Sequence, residues 1–136
     1  MERTECLCYF AIKGKFDPRE ATRRLSTEPT RSWSIGDLRK DGSRHEFAFW
    51  ECGYTQVAYP NLEIDCVQAV QDLVGKESIL SDFKSEHDVD FVLEIVPTIC
   101  EGVTPAINIS KDLMHFCCLS DTTIDIDMYV YPFEAR

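Results

Sequence analysis

The sequence predicts an α+β fold: a single domain with a mixed, largely antiparallel sheet and helices packed on it. Three observations point there. Apolar residues alternate in "VDFVLEIVP" and "TTIDIDMYVYP", the period of a half-buried strand. Helical segments with recognisable caps separate the strand patterns without strict β-α-β alternation. No Gly-, Pro- or Ser-rich linker and no low-complexity tract divides the 136 residues, so residues 1–136 are expected to form one domain.

Taken in order, "CLCYFAIKG" is apolar at both sets of alternating positions, as in an interior strand covered on both sides. "FDPREATRRLS" opens a helix. Asp17 is the N-cap, Pro18 suits the first helical position, Glu20 completes a capping box, and Ala21 and Leu25 share the inner face. The helix is expected to stop before Pro29. "RSWSIGD" and "RHEFAFWECG" read as a hairpin around Asp41-Gly42, with Phe47 and Phe49 on one face and Ala48 and Trp50 on the other.

"NLEIDCVQAVQDLVG" reads as the longest helix, with Leu62, Cys66, Val70 and Leu73 as its stripe and Gly75 as its stop. "ESILSDFKSEH" adds one or two helical turns with Ile79, Leu80 and Phe83 inward. Val89, Phe91, Leu93 and Ile95 form the inner face of the next strand, and "PAINIS" is a short strand. Ser110 caps a helix that buries Leu113, Phe116 and Cys117. The closing strand points Ile124, Ile126, Met128 and Val130 inward. The resulting order, β-α-β-β-α-(α)-β-β-α-β, carries a ferredoxin-like pseudo-repeat in which the two ends echo each other. The expected core is Phe10, Ile12, Leu25, Phe47, Val70, Leu73, Phe91, Leu93, Ile124 and Ile126.

The segments "YFAIKGKFDPREATRRLSTEPTRSWSIGD", "FAFWECG" and "INISKDLMHFCCLSDTTIDIDMYVY" together resemble the bacterial Domain of Unknown Function 4279 family over nearly the whole chain. The resemblance rests on Phe16-Asp17-Pro18, Pro29-Thr30, Trp33, Gly36-Asp37, Trp50 and Ile126-Asp127-Met128-Tyr129. This chain has "LSTEPT" where the family pattern has "LGIEPT", so Ser26 stands in place of a glycine helix stop. The resemblance implies no catalytic residues and no cofactor. It implies the setting of small acidic bacterial proteins that neutralise toxins.

Charge narrows the partner class. Residues 1–60 carry 10 Lys/Arg against 9 Asp/Glu, and residues 61–136 carry 4 against 15, so the net charge of −10 is +1 and −11 in the two parts. Nucleic acid and anionic membrane are repelled by such a surface, whereas a basic protein is attracted. The charged start and the lack of a long apolar run lead to the expectation of a cytoplasmic protein. Seven cysteines scattered through apolar segments then read as free structural thiols. Cys6 and Cys8 lack the spacing of a zinc pair, and no metal is expected.

Cys52 is the candidate exposed thiol, but seven residues of strand, on the order of 23 Å, separate it from His45. His115 sits on a helix beside core positions. Without a nucleophile–base pair or a phosphate-cradling loop, catalysis is not expected.

Two binding readings remain. In the first, a basic, nuclease-like toxin is the partner of an immunity protein. Candidate contacts are Glu63, Asp65, Asp72, Glu77, Asp82 and Glu86 on the long helix and its extension, with Asp65 and Asp72 the best pair. Asp125, Asp127, Tyr129 and Tyr131 on the last strand's outer face are the second candidate surface. In the alternative, a small-molecule-binding or regulatory domain uses a tryptophan-lined pocket of Arg31, Trp33, Asp37 and Trp50. Core packing of Trp33 near Trp50 and the first helix competes with that pocket.

Overall fold

A computed structural model describes residues 3–58 and 63–133. Its elements are β1 (Glu5–Lys15), α1 (Pro18–Leu25), β2 (Arg31–Trp33), β3 (Ala48–Ala58), β4 (Glu63–Asp65), a 3-10 helix (Cys66–Val70), α2 (Glu77–Glu86), β5 (Asp88–Ile99), β6 (Ala106–Asn108), α3 (Lys111–Ser120), β7 (Thr122–Ile126) and β8 (Tyr129–Val130). The α+β class holds. The main sheet has six strands in the order β2-β3-β1-β5-β7, with β8 also paired to β5. Pairing is antiparallel from β2 through β5 and parallel between β5 and both β7 and β8. Short β4 and β6 pair in parallel separately.

This order interleaves two crossovers. The path β1-α1-β2 straddles β3, and the path from β3 through α2 to β5 straddles β1, the split β-α-β arrangement of ferredoxin-like sheets. Both lie within residues 5–99. At the other end of the chain β6 and α3 lie between β5 and its immediate parallel neighbour β7, and the expected echo between the two ends is not confirmed as a repeat. The ladder breaks between β7 and β8 opposite Pro97, where no N–H is available for the rung.

Local chemistry sets the element ends. Asp17 caps α1 by accepting from Arg19 N at 3.0 Å, and Ser26 closes it in the left-handed region at φ 49°, the conformation a glycine would adopt more cheaply. The Glu20 carboxylate faces Arg23, Arg24 and His87, not the cap expected of it. Ser110 caps α3 through Leu113 N. Asp41 and Gly42 make the hairpin tip, with Asp41 Oδ1 accepting from Ser43 N.

All three helices and the 3-10 helix cover one sheet face. Phe10, Ile12, Trp50, Phe91 and Leu93 meet Leu25, Val70, Leu73, Leu80, Phe83, Leu113 and Phe116 there, all buried. Burying side chains of this size stabilises by about 1.5–3 kcal/mol each before chain entropy is counted.

Several expectations are corrected. The long helix expected over 61–75 does not form among the described residues; Asn61 and Leu62 lie outside them, and residues 63–75 are β4, the 3-10 helix and a turn. Cys66, Val70 and Leu73 are nonetheless buried, as the stripe requires. Phe47 precedes β3 and is 58% exposed. Ile126, 49% exposed, pairs with buried Ile95 but lies beyond the covered core, and Met128 and Val130 are exposed as well. The second face of β1 carries half-buried Leu7, Tyr9 and Lys13, so this strand is not covered on both sides.

Candidate functional site

The sheet face away from the helices bears only a small cluster, Ala11, Phe49 and Val92, with Tyr9 and Trp33 packed on it. Strand parity aims Tyr9 and Lys13 of β1, Glu51 of β3 and Glu94 of β5 at this side. A bulge opposite Tyr9 extends the arrangement: Gly53 and Tyr54 oppose one residue, which restores Tyr54 to the face of Glu51. Only glycine suits the bulge. Gly53 has φ 67°, and an added Cβ would lie 2.0 Å from the Ala69 carbonyl oxygen.

Towards the strand ends where Leu7 pairs with Val96, away from the hairpin, the face is acidic and tyrosine-rich. Glu51 is only 3% exposed; Thr30 Oγ1 donates to its Oε2 at 2.6 Å and Arg31 Nη2 to its Oε1 at 3.1 Å. Glu94 is 8% exposed and accepts from Lys13 Nζ at 3.2 Å. The register sets Asp125 beside Glu94. Burial, followed by the hydrogen bond with Asp125, pushes the Glu94 carboxyl above its ordinary range despite Lys13. Burial and then the nearby Glu94 and Glu51 charges push the Tyr9 hydroxyl up too. Tyr129 donates to Asp127 Oδ2 at 3.1 Å, and the Tyr9 ring stacks on Tyr54 at 6.5 Å. A cleft of about 690 Å³ lies among Tyr9, Arg31, Glu51, Tyr54, Asp127 and Tyr129.

The hairpin end is different. Trp33 is sandwiched between His45 at 4.2 Å and Phe49 at 4.3 Å, and its Nε1 donates to the Phe47 carbonyl at 3.0 Å. Arg31 lies 5.4 Å over Trp33 and 5.0 Å over Phe49. A second hollow, about 780 Å³, opens here, and Tyr9 and Arg31 border both.

The expected tryptophan pocket is thus split by the sheet. Arg31 and Trp33 line the hairpin hollow, but Trp50 is buried on the opposite face, its Nε1 donating to Thr22 Oγ1 of α1 at 3.0 Å. Register explains this: Trp33 pairs with Phe49, whose neighbour Trp50 must point the other way. Trp33 packs near neither Trp50 nor α1. Asp37 holds a turn through Ser34 N at 2.8 Å and does not border the hollow.

The helix-side carboxylates have separate local roles. Asp65 caps the 3-10 helix through Val67 N at 3.1 Å, and exposed Asp72 lies in the turn that follows. Glu63 accepts from Asn108, Glu77 from Gly75 N, and Glu86 pairs with Arg24. Asp82 is exposed on α2. Asp65 and Asp72 do not share a helix face. Asp125, Asp127 and Tyr129 do gather on the uncovered side.

Cys52, expected exposed, is buried, and burial first pushes its thiol up to about 12. Cys8 is pushed up by its hydrogen bond to Cys66 and by burial, while that bond draws Cys66 down. All seven thiols are unbridged; Cys118 is exposed and the other six buried. No group of three or more metal-ligating side chains is placed to hold an ion among the described residues. No helix among them is long and apolar enough to cross a membrane.

Sequence reasoning missed Tyr9, Lys13, Glu51 and Glu94. The alternation of Tyr9 and Lys13 within "CLCYFAIKG" was the available signal. No curated protein and no solved structure matches the chain. A family model described as domain of unknown function (DUF4279) matches residues 4–131, and the chain belongs to that family.

Proposed function

We propose that the protein is a cytoplasmic binding protein, an immunity protein that holds a basic, nuclease-like toxin against the acidic half of its uncovered sheet face. The observation that carries this reading is the Glu94–Asp125 pair. Two neighbouring carboxylates, one of them buried, have only the Lys13 ammonium bonded to Glu94 beside them, which is unfavourable electrostatics in the free protein. A guanidinium or ammonium group from a partner would relieve it. On the same sheet face, Tyr9, Tyr54 and Tyr129 line a cleft that offers ring faces to a cation and apolar area to its stem. The −11 charge of residues 61–136 would speed the encounter.

The test is co-expression with a basic toxin domain sought in a neighbouring reading frame, scored by survival. Charge reversal at Asp125 and Asp127 together should abolish protection, while reversal at Asp65 and Asp72 should leave it intact. The opposite pattern would move recognition to the helix side of the molecule.

A further inference from the structure

We infer that the hairpin-end hollow is a second site, which takes a small organic anion carrying a flat ring. The inference rests on charge that runs against the rest of the chain. Five of the 14 Lys and Arg residues, Lys13, Lys15, Arg31, Arg39 and Arg44, border one hollow, against three of the 24 acidic residues, Glu46, Asp88 and Asp90. The lining side chains thus hold more cations than acids, and even with Glu51 and Glu94, which pair with two of the cations, the hollow is neutral on a protein of net charge −10.

Two of these cations are already engaged, Arg31 by Glu51 and Lys13 by Glu94. Arg44 donates to the Gly36 carbonyl but to no carboxylate, and Lys15 and Arg39 form no side-chain ion pair among the described residues. Lys15 lies opposite Asp88 in the β1–β5 register without closing a bridge to it. Three cations are therefore available to a ligand.

The wall beside them is aromatic and rigid. Both faces of Trp33 are taken by His45 and Phe49, and its N–H is bonded, so it braces the wall and cannot swing. Exposed Phe47 and half-buried His45 supply apolar surface at the mouth. At about 780 Å³ the hollow falls in the size range of small-ligand clefts. Apolar wall plus unpaired cations selects a ring with an acidic head group: a neutral ring forgoes the charge, and a bare anion forgoes the ring contact. The site stands apart from the toxin reading, since Lys15, Arg39 and Arg44 do not border the acidic cleft.

The probes are naphthyl phosphate, naphthoate, uncharged naphthol and inorganic phosphate, titrated by calorimetry and by the ring signals of His45. At least one ring anion should bind and shift His45, with naphthol and inorganic phosphate weaker by about tenfold or more. Lys15→Glu with Arg39→Glu should weaken the ring anion by at least about tenfold at unchanged melting temperature, because both side chains are exposed. Lys111→Glu on α3, which alters net charge far from the hollow in sequence and outside its lining, should leave binding as it was. Failure of both ring anions to bind would overturn the site, as would equal binding of naphthol, indifference to the double reversal, or an equal loss from Lys111→Glu.

Discussion

Glu94 is a carboxylate whose environment works against its charge, and this has a measurable consequence. Its pKa in the fold lies above the ordinary value, so its stabilising contribution is fully present below the unfolded-state pKa. That contribution is lost as pH rises through the folded-state pKa, and above that pKa the ionised group is a net cost. Glu94→Gln should therefore raise the melting temperature at neutral pH, with the advantage shrinking as pH falls through the raised pKa. A lower melting temperature for the variant at neutral pH would mean that the Lys13 pairing outweighs burial. Gly53 is the complementary case. Gly53→Ala should destabilise by about 1–3 kcal/mol from backbone strain alone, and further from collision with Ala69. Denaturant unfolding reads that loss directly. The thiols give a third check at this scale: a thiol reagent should label Cys118 quickly in the native protein and the other six only after unfolding.

Among the elements, β5 carries the centre of the core, and Phe91→Ala should cost about 3–5 kcal/mol because the cavity among Phe10, Lys84 and the sheet cannot close completely. A variant that melts with the parent would show that Phe91 is not packed there. This strand was legible because Val89, Phe91, Leu93 and Ile95 alternate against Asp90 and Glu94 in one short run. The first helix was legible for a different reason: Asp17-Pro18 fixes its start by local chemistry alone. The segment from Asp65 to Gly75 was not. Its apolar spacing suits an α-helix and a 3-10 helix followed by turns equally, and the choice rests on tertiary contacts of Ile64 with β6 and of Cys66, Ala69 and Val70 with the sheet. The last strand shows a third situation. Ile124 and Ile126 share the predicted side, but burial depends on whether a helix reaches over them, and coverage is not written in alternation.

For the molecule as a whole, the charge asymmetry was plain in the sequence, whereas the face that uses it was not. Three helices collect on one side of the sheet, so the side that remains is decided by topology. That side brings Glu51, Glu94 and Asp125 together from three separate strands. It also places the tryptophans on opposite faces, making Trp50 part of the core and Trp33 part of a wall. The central claim is that this uncovered face is where the protein binds its partner. Amide chemical-shift mapping of the full chain against an inactivated toxin domain tests it most directly. The predicted result is a set of perturbations centred on Tyr9, Tyr54, Glu94, Asp125 and Tyr129. Perturbations confined to α2 and α3, with those five residues unmoved, would contradict it.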